Sequence, residues 1–197
     1  MLTFDAEKHE YKFDGKVIPS VTQIIKEAGL INLDFVDKDL LAEKADLGTK
    51  IHVTTQLYDK GSLDVDSLHP ILKKYLDNWI KFKKDYGFQV EEIETMYYHS
   101  KYSFAGTLDR IGVIGKDKVL LDIKSGGKYD SHRIQTAAYK LLYDFEKPKK
   151  EIIKKRFIVY LSGNDTVSYK VEENTRLNDD KIFLASLTIY NYKKGLI

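Results

Sequence analysis

A chain of 197 residues with 43% hydrophobic and 31% charged residues is apolar enough to bury a core, which excludes a disordered polymer. It contains no cysteine, so disulfide frameworks, cysteine-held zinc or iron–sulfur sites and thiol nucleophiles are excluded, and any metal must be held by oxygen or imidazole. The net charge is only +2 and no apolar run approaches the roughly 20 residues of a membrane span, so the expectation is a cytoplasmic protein with no membrane partner.

At the N-terminus, "LTFD" and "HEYKF" alternate apolar with polar residues and are punctuated by "DGK", which predicts a small hairpin. "PSVTQIIKEAG" predicts a short helix with Ser20 as N-cap and Gly29 as stop. Asp34 is the candidate cap of a longer helix running to about Lys60, ended by Gly61 and containing "LGTKIH". In "SLHPILKKYLDNWIKFKKDYG", Leu68, Ile71, Leu72, Tyr75, Leu76, Trp79 and Phe82 recur at helical spacing between Ser67 and Gly87.

Three strands are predicted next, at about 89–99, 103–114 and 118–124, the third ("KVLLDIK") dense enough in apolar residues to be central and covered on both faces. From Ser131 to about Phe145 the spacing is helical again, with Ile134, Ala137, Ala138, Leu141, Leu142 and Phe145 as the inward stripe. "RFIVYLSG" and "TVSYKV" read as two strands joined through "GND", and residues 174–195 as a closing helix. This order predicts an α/β sandwich with a mixed sheet in one domain spanning 1–197. Its parts are an N-terminal hairpin and helices over about 1–87, the sheet and its helix over about 88–171, and the last helix over about 174–195.

Side chains alternate along a strand, so Leu120, Asp122 and Lys124 share one face and Val119, Leu121 and Ile123 the other. A charged pair on an otherwise apolar strand is costly to bury unless it meets its own partner, a metal or a substrate. If the two flanking strands pair through "GKDK", Asp109 of "FAGTLDRIGVI" lies beside Asp122, and two converging carboxylates suit magnesium or manganese. The same residues equally suit strand-end acids facing solvent with Lys124 as a surface partner. Gln135 and Tyr139, four apart on the next helix and preceded by His132, share a flank off the apolar stripe, where they and the helix N-terminal amides could face an anionic ligand; a rim-packed tyrosine is the plainer account. His52, alone on a helix, matters only if that helix lies against the carboxylates. Residues 128–156 carry nine Lys or Arg against four Asp or Glu, densest in "KPKKEIIKKR", a candidate track for a phosphate backbone or simply a solvated face.

Taken in order, "GTKIH", "GTLDRIG", "LLDIKSG" and "QTAAY" resemble the RecB-type exonuclease branch of the PD-(D/E)XK nuclease superfamily, and "IPSVTQII" is similar to the opening motif of its phage and mitochondrial exonuclease-like members. The resemblance spans about Pro19 to Tyr139. It implies a restriction-endonuclease-like core, a mixed central sheet flanked by helices, and Mg2+- or Mn2+-dependent hydrolysis of DNA, most simply from ends or single strands, in recombination, repair or phage DNA processing, with a recombination or replication protein as a further partner. It assigns metal binding to His52, Asp109, Asp122 and the carbonyl of Ile123, catalysis to Asp109, Asp122 and Lys124, and substrate contacts to Gln135, Tyr139, Thr107 and Ser125. Tyr129, Tyr139 and Tyr143 are candidates for stacking on bases. A catalytically silent DNA-binding module and a site-specific endonuclease are the rivals, against which stand the intact acids and the lack of a base-reading insertion.

Overall fold

The alternation of "VLLDIK" becomes two separate apolar cores in the computed structural model, which describes residues 1–32, 36–145, 147–164 and 168–197. Leu120 packs with Ile24, Ile134, Leu142 and Phe183 on one side of a sheet, while Val119, Leu121 and Ile123 pack with Ile51, Leu76, Trp79 and Phe82 on the other. The sheet holds β4 (Gln89–His99), β5 (Phe104–Ile114), β6 (Asp117–Lys124), β7 (Lys155–Leu161) and β8 (Tyr169–Glu173) in that spatial order. All its pairings are antiparallel except β6 with β7, which are parallel and joined across the sheet by α4 (Asp130–Asp144). Helices α1 (Val21–Glu27), α4 and α5 (Asp179–Lys193) cover one face, and α2 (Lys38–Asp59) and α3 (Pro70–Tyr86) the other. The fold is therefore a mixed five-stranded sheet between helical layers. No helix among the described residues is long and apolar enough to cross a membrane.

At the N-terminus the alternating residues form three strands, β1 (Leu2–Asp5), β2 (Glu10–Phe13) and β3 (Lys16–Ile18), rather than one hairpin. The "DGK" turn joins β2 to β3: Asp14 and Gly15 both have positive φ (47° and 80°), the geometry a two-residue turn demands. Ser20 caps α1 with a reciprocal capping box involving Gln23. Asp37 caps α2 by accepting from the amides of Asp39 and Leu40; Asp34, the cap read from sequence, lies outside the described residues. His69 caps α3 by accepting from the amide of Ile71, with Pro70 at the first helical position, so Ser67 and Leu68 lie before the helix. The closing helix starts at Asp179 rather than 174, and the carbonyls of Asn174 and Arg176 before it accept from Arg156.

Helix α4 departs from its expected stripe. Tyr139 and Tyr143 are 7% and 3% exposed, while Leu141 and Phe145 are only half-buried. The helix lies against the sheet and also against α1 and α5, so more than one of its faces is covered. Neither Tyr139 nor Tyr143 is free to stack on a base.

Both glycines of "GTLDRIG" are explained by crowding. A Cβ at Gly106 would come within 2.9 Å of the Tyr139 ring, and one at Gly112 would run into the backbone carbonyl of Gln89 and within 2.6 Å of the Phe88 ring. Gly126, by contrast, has open space around it. Gly112→Ala should lower the unfolding free energy by about 1–3 kcal/mol, as overpacking does, and Gly126→Ala should leave it nearly unchanged, both read by urea denaturation.

Candidate functional site

Arg110 pairs with Leu121 across the β5–β6 ladder, so Asp109 and Asp122 are the next residues on the two strands and point to the same side. Asp109 accepts the backbone N–H of Ile123 at 2.7 Å, which locks its carboxylate over the end of β6. Lys124 reaches back to Asp122 with 2.8 Å between Nζ and Oδ2. From α2, His52 approaches Asp109 at 3.7 Å and Glu94 of β4 at 3.6 Å. His52, Glu94 and Asp109 offer three ligand atoms all within 4.8 Å of one another.

The trio holds His52 and Asp109 of the expected metal set and adds Glu94, with Asp122 beside it, tied to Lys124. Glu94 has a positive φ of 48° and follows a register shift between Val90 and Glu92, so a bulge re-aims a residue that simple alternation would misplace. Nothing in "VEEIET" singles out this glutamate from its two neighbours.

The electrostatics are dominated by the clustered acids. Burial pushes the imidazole of His52 down, but the carboxylates of Asp109 and Glu94 outweigh it and hold its pKa up at about 9. Asp122 is 1% exposed and neither of its oxygens receives a well-directed hydrogen bond; burial raises its pKa and Asp109 adds to the rise, with Lys124 opposing. Burial disfavours the charge on Lys124, yet Asp122 and Asp109 raise its pKa, so it stays an ammonium. Three carboxylates and an imidazole, with the buried oxygens of Asp122 receiving no well-directed hydrogen bond, fit a hard divalent ion.

The remaining expected residues are partly gathered here. Thr107, Ile123, Ser125, His132 and Tyr139 all line the cleft above the carboxylates. Thr107 shares a 2.6 Å hydrogen bond with the hydroxyl of Tyr11, a residue that no motif marks out. Gln135 is half-buried and donates to the Tyr139 hydroxyl at 2.8 Å, so it reaches the site through that ring. Burial and the Lys124 ammonium push His132 down to about 4, leaving a neutral ring hydrogen-bonded to Tyr160 at 3.1 Å.

The basic run lies elsewhere. Lys155 pairs with Val119 and Lys124 with Tyr160, which puts the run about 16 Å down the strand from the site. Lys155 is paired with Asp117, Lys147 sits over the Tyr143 ring, and Arg156 is bound to Asp179. Its cations serve the opposite end of the sheet.

Beneath the site, Arg110 is fully buried. Its Nε donates to Asp59 at 2.8 Å, and its terminal nitrogens donate to Glu94 at 3.0 Å, Thr55 at 3.2 Å and the Asp109 carbonyl at 2.6 Å. Asp59 also accepts from Trp79 and Lys83.

No family model matches the chain, and no curated protein matches it in sequence. Among solved structures, one described as "Putative exonuclease" from Eubacterium rectale superposes with a TM-score of 0.51 at 14% identity, over 76% of this chain and 68% of that one. The shared property is the fold. An alkaline exonuclease from Laribacter hongkongensis overlaps 61% of this chain and 69% of its own at 18% identity, with a TM-score of 0.30 too low to argue from.

Arg110→Met strips buried Asp59 of one of its two cations, Lys83 remaining, and leaves Glu94 without its anchor. It should cost about 3–5 kcal/mol in urea denaturation and weaken Mn2+ binding measured by calorimetry, with Arg110→Lys losing less of both.

Proposed function

We propose that this chain is a Mg2+- or Mn2+-dependent deoxyribonuclease that hydrolyses DNA from ends or single strands. One observation carries the reading: His52, Glu94 and Asp109 converge on a single point, with the buried Asp122–Lys124 pair beside it at the base of an open cleft. Its resemblance in four ordered motifs and the fold shared with the Eubacterium rectale protein support the same reading.

His52, Glu94, Asp109 and Asp122 would hold the divalent ion, with the carbonyl of Ile123 as a further donor. The ion, when bound, makes water acidic enough to attack and neutralises charge on the scissile phosphate. Lys124, kept protonated by the acids around it, donates to a phosphate oxygen or to the attacking water. The hydroxyls of Thr107 and Ser125 contact the strand at the cleft floor. Gln135 fixes the Tyr139 hydroxyl, and the ring in turn backs Gly106 and keeps β5 in place.

The test incubates the purified protein with end-labelled linear, closed circular and single-stranded DNA, in magnesium, in manganese and in chelator. Linear and single-stranded DNA should be degraded only with metal, closed circles should survive, and Asp122→Asn or Lys124→Ala should lower the rate by about 10²–10⁴. Degradation in chelator, or at an unchanged rate in both variants, sinks the metal mechanism, and cutting of closed circles sinks the action at ends.

A further inference from the structure

The cleft above the carboxylates encloses about 800 Å³ and is lined in an unusual way for a surface that meets nucleic acid. Proteins that track duplex DNA neutralise phosphates on both strands with several lysines and arginines. Among the described residues lining this cleft, Lys124 is the one Lys or Arg, and its ammonium is already engaged by Asp122. The other charges on the floor are the imidazolium of His52 and the acids Glu94 and Asp109 that engage it, and those acids repel a phosphate not bridged by a metal.

What the cleft offers instead is rings, brought in by two separate elements. From the N-terminal sheet come His9, exposed and held at a φ of 53° in the turn before β2, and Phe4, edge-on to it at 5.2 Å and resting on Tyr11 at 4.7 Å. From the loop before α4 comes Tyr129, 53% exposed, edge-on to the neutral His132 ring at 5.5 Å. Tyr129 and His9 belong to none of the three apolar cores, so burial does not account for either. Tyr129 stands against Gly127, which has no side chain to cover the ring's flank. Exposed aromatic faces in a cleft poor in cations suit unpaired bases, because each base has a π-face to stack and a duplex hides its own.

Resting on the nuclease reading above, we infer that the cleft takes an unpaired DNA strand by stacking its bases on Tyr129 and on the His9–Phe4 pair, and that these rings select single strands over duplex. Tyr129 and His9 act as specificity determinants, while the acids below act on the backbone.

The test is anisotropy of a labelled ten-nucleotide thymidine strand, alone and annealed to its complement, with manganese and the full chain carrying Asp122→Asn so that bound probe is not cut. The single strand should bind at least about tenfold tighter than the duplex. Tyr129→Ala should weaken single-strand binding at least about fivefold and Tyr129→Trp should retain it, His9→Ala should weaken it less, and duplex binding should not move. Both positions are exposed, so their variants keep the fold, which circular dichroism checks. Equal affinity for the two probes, no binding of either, or an unchanged single-strand affinity in Tyr129→Ala overturns the inference. With Asp122 restored, a chain that selects single strands through Tyr129 but cuts none refutes the nuclease reading and leaves the stacking site standing. One that cuts duplex ends as fast as single strands refutes the selection and leaves the nuclease reading standing.

Discussion

A guanidinium sealed under the sheet sets the terms for the whole site. Arg110 brings Asp59 of α2, Glu94 of β4 and its own strand into one hydrogen-bonded unit, with Trp79 of α3 stacked against it at 5.7 Å. A buried arginine is tolerated only when its donors are satisfied, and here the satisfying groups come from elements that must otherwise be held in register by apolar contacts alone. The same bonds that make the charge tolerable fix the height of α2 over β5. That height places His52 within reach of Asp109.

Above this anchor, the chemistry divides by depth. The buried layer is acidic and rigid: Asp109 is tied to the amide of Ile123, and Asp122 to Lys124. The outer layer is aromatic and open. Tyr11 and Thr107 join the two, since their hydroxyls meet where the N-terminal sheet touches β5. The small sheet thus has a defined place in the architecture, reinforced by the bridge from Ser20 to Ala105 and by Phe13 stacked on Tyr98 at 4.2 Å.

Much of this was legible where a feature depends on near neighbours in sequence. The shared face of Asp122 and Lys124 follows from strand alternation, the β5–β6 hairpin from "GKDK", and the sequence limits of β4, β5, β6 and α4 from local periodicity to within a residue or so. Features set by distant partners were not. Glu94 enters the site through a bulge that only the pairing with β5 reveals, Arg110 looks like any strand cation until Asp59 meets it, and Tyr139 is buried because its ring lies on Gly106 of β5. The place of the basic run was hidden for the same reason. Its position depends on β6 and β7 being parallel, which sends residues 147–156 to the end of the sheet away from Lys124.

That parallel pairing also orders events in time. β6 is an interior strand, and its second neighbour, β7, is reached only after the whole of α4 has been laid down. A chain emerging from the ribosome therefore presents Asp109, Asp122 and Lys124 on a half-paired edge, before Ile158 and Tyr160 arrive to seal it. Asp109 and Asp122 are set side by side by the β5–β6 hairpin alone, whereas the second wall of β6 waits for a strand beyond the crossover helix.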